Sequence, residues 1–90
     1  MKKAVIIKIT GQVQGVGFRW SAKRKADELQ VFGTARNEPN GEVFIEAEGG
    51  SEAVDGFIEW CRCGPDYAMV NRVEVSDSKL KNYGDFEIVV

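Results

Sequence analysis

Nine residues between two apolar segments, Gly11–Arg19 (GQVQGVGFR), constrain the structure of this chain more than any other stretch. The preceding segment, Ala4–Ile9, is rich in β-branched residues like a strand, and the following one, Trp20–Leu29, has helical spacing. Glycines with positive φ let backbone N–H groups converge, and a helix start adds free donors and a positive dipole end. With Arg19 in the first helical turn, this glycine loop is predicted to bind phosphate. The alternative is a plain tight connection.

The other patterns predict a sheet covered on one face by two helices. Glycine, proline and asparagine residues separate alternating segments from segments with helical spacing. The predicted elements are strand Ala4–Thr10, helix Trp20–Leu29, strand Gly33–Asn37, strand Glu42–Glu48, a helix capped by Ser51 and ended by Gly64-Pro65, strand Met69–Val75 and strand Asp85–Val89. This β-α-β-β-α-β order, followed by a terminal strand, predicts an α+β, ferredoxin-like sandwich in which two helices pack on one face of an antiparallel sheet.

Length and composition limit the kind of protein this can be. Ninety residues suit one hydrophobic core, so we expect a single domain spanning residues 1–90. The apolar runs are shorter than a membrane span, and the one near the N-terminus is too short for a signal peptide, which favours a cytoplasmic protein with no membrane partner. The chain has no histidine, so Cys61 and Cys63 make a poor metal site, and we expect one packed and one exposed thiol.

Charge is distributed unevenly along the chain. Residues 1–36 contain eight Lys or Arg and two Asp or Glu, whereas residues 37–90 contain four and twelve. The glycine loop lies in the basic part, which favours a small anionic ligand. Some ferredoxin-like domains bind RNA through aromatic side chains on the third strand, but here the outward positions are Glu42, Phe44, Glu46 and Glu48. These carboxylates would repel a phosphate backbone, so we expect no nucleic-acid partner.

Asn37 is a second candidate for the site. It ends the predicted second strand, just before the turn Glu38–Gly41, and in a ferredoxin-like sheet the first strand can neighbour this one. A side-chain amide both donates and accepts hydrogen bonds, so it can orient a water molecule towards a bound phosphorus. The alternative is that Asn37 starts the turn by bonding to its own backbone.

The glycine loop resembles the signature of the acylphosphatase family, usually written G-x-V-Q-G-V-G-F-R. The resemblance covers essentially the whole chain and continues in Arg36-Asn37, Asn40-Gly41-Glu42-Val43, Glu46-Ala47-Glu48-Gly49, Phe57-Ile58-Glu59-Trp60, Gly64-Pro65, Val73-Glu74-Val75 and Asp85-Phe86-Glu87-Ile88. It implies an enzyme that hydrolyses the carboxyl-phosphate bond of small acyl phosphates without a metal ion or an organic cofactor. We also expect the protein to be a monomer.

The resemblance also implies roles for individual residues. Carried over by motif position, Arg19 binds the substrate phosphate and Asn37 positions the attacking water. The backbone N–H groups that would hold the phosphate oxygens belong to Gln14, Gly15, Val16, Gly17 and Phe18. The alternative is a module of the same fold that binds phosphate or a phosphorylated protein without turnover.

Two residues depart from the family pattern. Gln30 stands where the family usually has a glycine that closes the first helix, and a left-handed conformation there would cost on the order of 1 kcal/mol. Thr34 stands where an aromatic residue is common, which predicts less packing near the strand that carries Asn37. Neither position coincides with a proposed site residue.

Overall fold

The computed structural model describes all 90 residues and contains five strands and two helices. They are β1 (Lys2–Gln12), α1 (Phe18–Leu29), β2 (Phe32–Asn37), β3 (Val43–Gly50), α2 (Ser51–Cys63), β4 (Met69–Ser78) and β5 (Phe86–Val89). Every predicted element is present, and the α+β, ferredoxin-like fold is confirmed. Neither helix combines the length and the apolar character needed to cross a bilayer.

The five strands form one sheet in the order β4-β1-β3-β2-β5. β1 is antiparallel to β3 and β4, and β2 is antiparallel to β3. The expectation that the first strand neighbours the strand of Asn37 is wrong, because β3 lies between β1 and β2. The prediction of a purely antiparallel sheet is wrong for β5, which pairs in parallel with β2. β4 ends at the end of the sheet where β1 and β2 begin. The connection from β4 to β5 crosses the sheet at that end, so β5 starts there and runs in the same direction as β2.

The hydrophobic core lies between the sheet and the two helices. Along β1, alternate side chains turn to this side and are buried, namely Val5, Ile7 and Ile9. The helices contribute an apolar stripe each, formed by Phe18, Ala22 and Ala26 on α1 and by Val54, Phe57, Ile58 and Cys61 on α2. Burial on this scale supplies most of the driving force for folding. The cysteine prediction is confirmed, since Cys61 is buried and Cys63 is exposed.

The helix ends differ from the prediction at two points, since α1 begins at Phe18 and not at Trp20, and the start of α2 lacks the expected cap. Ser51 is the first residue of α2, but no side chain caps this helix, so its predicted capping role is wrong. The N–H of Ser51 instead donates to the carbonyl of Met1, at 2.8 Å. At the end of α1, Gln30 does adopt the left-handed conformation, with φ 62° and ψ 46°. The N–H groups of Gln30 and Val31 donate back to carbonyls of the last helical turn, as in a Schellman motif.

The segment Lys79–Asp85, here called the strap, joins β4 to β5 across the face of the sheet opposite the helices. The carboxylate of Glu48 accepts hydrogen bonds from the backbone N–H groups of Lys81, at 2.7 Å, and Tyr83, at 3.1 Å. Glu48 is therefore buried, although its strand position predicted an exposed side chain. Glu46 is paired with the ammonium group of Lys81, which raises the pKa of Lys81. Two of the carboxylates predicted to face outward on β3, Glu46 and Glu48, are thus bound by the strap.

Candidate active site

The segments that carry the predicted site residues meet at one edge of the sheet. Since β1 and β2 are both antiparallel to β3, they run in the same direction and end together. Pairing places Asn37 opposite Val43 and Val43 opposite Ile9, so Asn37 is level with Ile9, about 10 Å away at normal strand spacing. β5 is parallel to β2 and ends at this edge too, at Val89. The sheet therefore brings Asn37 to the end of the molecule that carries the glycine loop.

The glycine loop has the conformation that its glycines predicted. Gly15 and Gly17 have φ values of 75° and 77°, in the region that L-residues rarely adopt. A Cβ atom added at either position would meet nothing within 4 Å, so the loop lies open. The backbone N–H groups of residues 14–18 donate no hydrogen bond to any acceptor of the protein. These donors are available to an anion.

Buried side chains fix both ends of this open segment. Val13 is buried at its start, and Phe18 is buried at the beginning of α1. The Phe18 ring packs edge-on against Trp60 of α2, with ring centroids 5.5 Å apart. The first hydrogen bond of the helix runs from the N–H of Ser21 to the carbonyl of Gly17, at 3.0 Å. The loop is therefore exposed in the middle and attached to the core on both sides.

Arg19 points towards the end of β5. Its Nη1 donates to the carbonyl of Val89, at 3.1 Å, and its other guanidinium donors have no partner in the protein. One helical turn later, Lys23 donates to the carbonyl of Phe86, at 2.7 Å. Two cationic side chains of α1 thus hold β5, and the Arg19 guanidinium lies at the sheet edge where β5 ends.

Asn37 is half-buried, and its side-chain amide makes no hydrogen bond to the protein. The turn that follows is closed by other groups. The N–H of Gly41 donates to the carbonyl of Glu38, at 3.0 Å, and the side-chain oxygen of Asn40 accepts from the N–H of Glu42, at 3.0 Å. The turn-forming role considered for Asn37 therefore belongs to Asn40, and the amide of Asn37 is free for another role.

A side-chain contact that the sequence analysis missed joins the glycine loop to this turn. The Nε2 of Gln14 donates to the carbonyls of Glu38, at 2.8 Å, and Glu42, at 2.9 Å. The sequence predicts only a backbone role for Gln14. No local pattern predicts this contact, because the partners lie 24 and 28 positions further along the chain.

The comparisons with known proteins agree on one family. Residues 5–88 match the acylphosphatase family model over nearly the whole chain. The chain belongs to the acylphosphatase family. It is 48% identical to an acylphosphatase of Lactiplantibacillus plantarum, with 96% of this chain and 97% of the relative covered. An acylphosphatase of Thermococcus kodakarensis is 45% identical, with 92% and 91% covered. The crystal structure of the acylphosphatase from Bacillus subtilis superposes over the full length of both chains with a TM-score of 0.94, at 34% identity.

Membership of this family identifies the reaction that the protein catalyses. This acylphosphatase is an enzyme that hydrolyses acyl phosphates, so the predicted activity is confirmed and the alternative of a binding module without turnover is not favoured. Across the whole chain, no three His, Cys, Asp or Glu side chains are grouped so that they could hold a metal ion.

Proposed function

We propose that this acylphosphatase binds the phosphate of a small acyl phosphate with Arg19 and the backbone N–H groups of Gln14, Gly15, Val16, Gly17 and Phe18. The observation that carries the proposal is the set of unpaired N–H groups in the glycine loop, held open by two left-handed glycines. Backbone donors of this kind, next to a helix start, attract anions. Arg19 adds a positive charge and further donors whose planar geometry matches two phosphate oxygens.

Asn37 is proposed to position the attacking water. Its amide can accept a hydrogen bond from the water and donate one to it, and neither capacity is used by the protein. Asn37 ends β2 at the edge of the sheet where β1 leads into the glycine loop. A water held there by two hydrogen bonds would attack the phosphorus in a fixed orientation.

The reaction is proposed to need neither a metal ion nor an organic cofactor. The leaving group is a carboxylate, which departs without protonation, so no general acid is required. The remaining needs are an aligned water and stabilisation of the charge on the equatorial phosphate oxygens. Arg19 and the loop N–H groups supply that stabilisation, because they are fixed before the reaction begins. The proton of the attacking water passes to a phosphate oxygen.

We further propose a cytoplasmic monomer of one domain, residues 1–90, that does not bind nucleic acid. Both thiols are free, the state that a reducing compartment maintains. The ring of Phe44, the aromatic position where RNA would stack, is covered by the guanidinium of Arg36 at 4.3 Å. Light scattering and an RNA-binding assay test these expectations.

The test compares Arg19→Ala and Asn37→Ala with matched controls. Arg24→Ala removes an exposed arginine of the same helix, and Asn71→Ala removes an exposed asparagine of β4. With benzoyl phosphate as substrate, each site variant should lose roughly a hundredfold or more in kcat/KM. Inorganic phosphate should inhibit the Arg19 variant more weakly and the Asn37 variant as well as wild type.

The controls should keep wild-type rates, and a chelator should leave the wild-type rate unchanged. A wild-type rate no higher than that of Arg19→Ala would refute the assignment of the site. Loss of activity in the chelator, restored by a divalent cation, would refute the metal-independent chemistry.

A further inference from the structure

We propose that the side chain of Gln14 is a positioning residue, which holds Asn37 at a fixed distance from the bound phosphate. The inference rests on the proposed function, because it assigns Gln14 a role that acts through Asn37. It adds a side-chain role to the backbone role proposed for Gln14.

The geometry of the contact makes it a link between two pieces of backbone. The two hydrogens of Nε2 are both used, one on the carbonyl of Glu38 at 2.8 Å and one on the carbonyl of Glu42 at 2.9 Å. Both distances are typical of well-formed hydrogen bonds. Each carbonyl already accepts within the turn, from the N–H of Gly41 and the N–H of Glu38 respectively. Because a carbonyl oxygen has two lone pairs, the amide of Gln14 completes both acceptors.

This link has no substitute elsewhere in the structure. β1 and β2 are separated by β3, so no ladder of backbone hydrogen bonds connects the glycine loop directly to the strand of Asn37. The last registered pair of β2 and β3 is Asn37 with Val43, so residues 38–42, which contain the turn, project beyond the sheet. The two bonds from Gln14 are the only hydrogen bonds between the loop and this turn. Without them, the loop and the turn would be connected only through the rest of the sheet.

The position of the link predicts which kinetic constant it affects. Asn37 directly precedes Glu38, so movement of the turn would move the amide that aligns the water. The phosphate donors belong to the loop backbone and to Arg19, and Arg19 is held separately by Val89. Loss of the link should therefore misalign the water while phosphate still binds. A displacement of about 1 Å between reacting groups can cost up to a hundredfold in rate.

The test uses Gln14→Met, which keeps the length of the side chain and removes the donor. The matched control is Gln12→Met, since Gln12 ends β1 before the backbone groups that are proposed to bind phosphate, and its exposed side chain makes no hydrogen bond. We expect kcat for benzoyl phosphate to fall by roughly tenfold to a hundredfold in Gln14→Met, and the inhibition constant of inorganic phosphate to change by less than about threefold. Gln12→Met should keep both wild-type values.

A double-mutant cycle shows whether Gln14 acts through Asn37. If it does, Gln14→Met added to Asn37→Ala should cost less than about threefold further, because the amide to be positioned is already gone. Gln14→Glu, paired with Gln12→Glu as a control for charge, gives a second variant that cannot donate to either carbonyl. Unfolding in urea confirms that the compared variants are folded.

Three results would overturn the inference. They are an unchanged kcat in Gln14→Met, a phosphate inhibition constant that rises in proportion to the lost rate, and losses that multiply in the double mutant. If Asn37→Ala itself kept wild-type kcat, the proposed site would fail together with this inference. If only Gln14→Met were unaffected, the proposed site would stand and the inference alone would be wrong.

Discussion

Replacing Gln30 by glycine should stabilise the protein. Gln30 closes α1 in the left-handed conformation, with φ 62° and ψ 46°, where its Cβ crowds the backbone. Glycine reaches the same conformation without this steric penalty. The backbone hydrogen bonds that close the helix come from N–H groups, which the substitution keeps.

The structure sets the size of this effect. The left-handed conformation costs an L-residue roughly 1–2 kcal/mol. Glycine offsets part of this gain, because it has more conformational freedom to lose on folding. The amide of Gln30 contributes little, since its bond to the carbonyl of Asp27 is 3.4 Å long and exposed. We therefore expect Gln30→Gly to raise the free energy of unfolding by about 1 kcal/mol, which corresponds to roughly 4–8 °C in Tm for a domain of this size.

Urea and thermal unfolding of wild type, Gln30→Gly and Gln30→Ala measure the effect. Gln30→Ala keeps a Cβ in the left-handed conformation and loses the side-chain amide, so its stability should lie within about 0.5 kcal/mol of wild type. The difference between the glycine and alanine variants isolates the steric term. Equal stability of these two variants would refute the argument.

Three further predictions concern substitutions or modifications at residues outside the glycine loop. Gly64→Ala should destabilise by about 3 kcal/mol in urea unfolding, because φ is 68° and the new Cβ would lie 2.6 Å from the Phe18 ring; a loss below about 1 kcal/mol would contradict this. Glu48→Gln should cost about 1–3 kcal/mol and speed hydrogen exchange in the strap, because one strap N–H would face an amide NH₂ instead of an oxygen. In the native state a thiol reagent should modify Cys63 only, since burial blocks access to Cys61 and raises the pKa of its thiol; two fast-reacting thiols would disprove this.

The order of elements could be predicted because it depends on local patterns. Alternation along β3 and helical spacing along α2 each select a face within one element, and turn residues mark where each element ends. The direction of β5 could not be predicted from local patterns, because it depends on the end of the sheet at which the strap crosses from β4 to β5. The burial of Glu48 was missed for the same reason, since alternation gives the face of a side chain and not what covers that face.

In the candidate site, too, the sequence predicts some features and not others. A short contiguous motif points to Arg19 and the loop backbone, and Asn37 follows from its place before a turn; these assignments stay predictions until the variants are measured. No such motif predicts the hydrogen bonds of Gln14 to the turn and of Arg19 to Val89. Each joins residues far apart in sequence, so only the assembled sheet reveals them.

The position of β1 in the sheet affects how enzyme activity recovers when the denatured protein refolds. β1 pairs on one side with β3 and on the other with β4, which follows much later in the sequence. Ile7, for example, pairs with Val75. Contacts that close such long spans form slowly compared with a local hairpin such as β2–β3. In a refolding experiment, hydrolysis should therefore recover together with the docking of β4, well after the hairpin has formed. The time course of enzyme activity would then report the final closure of the sheet.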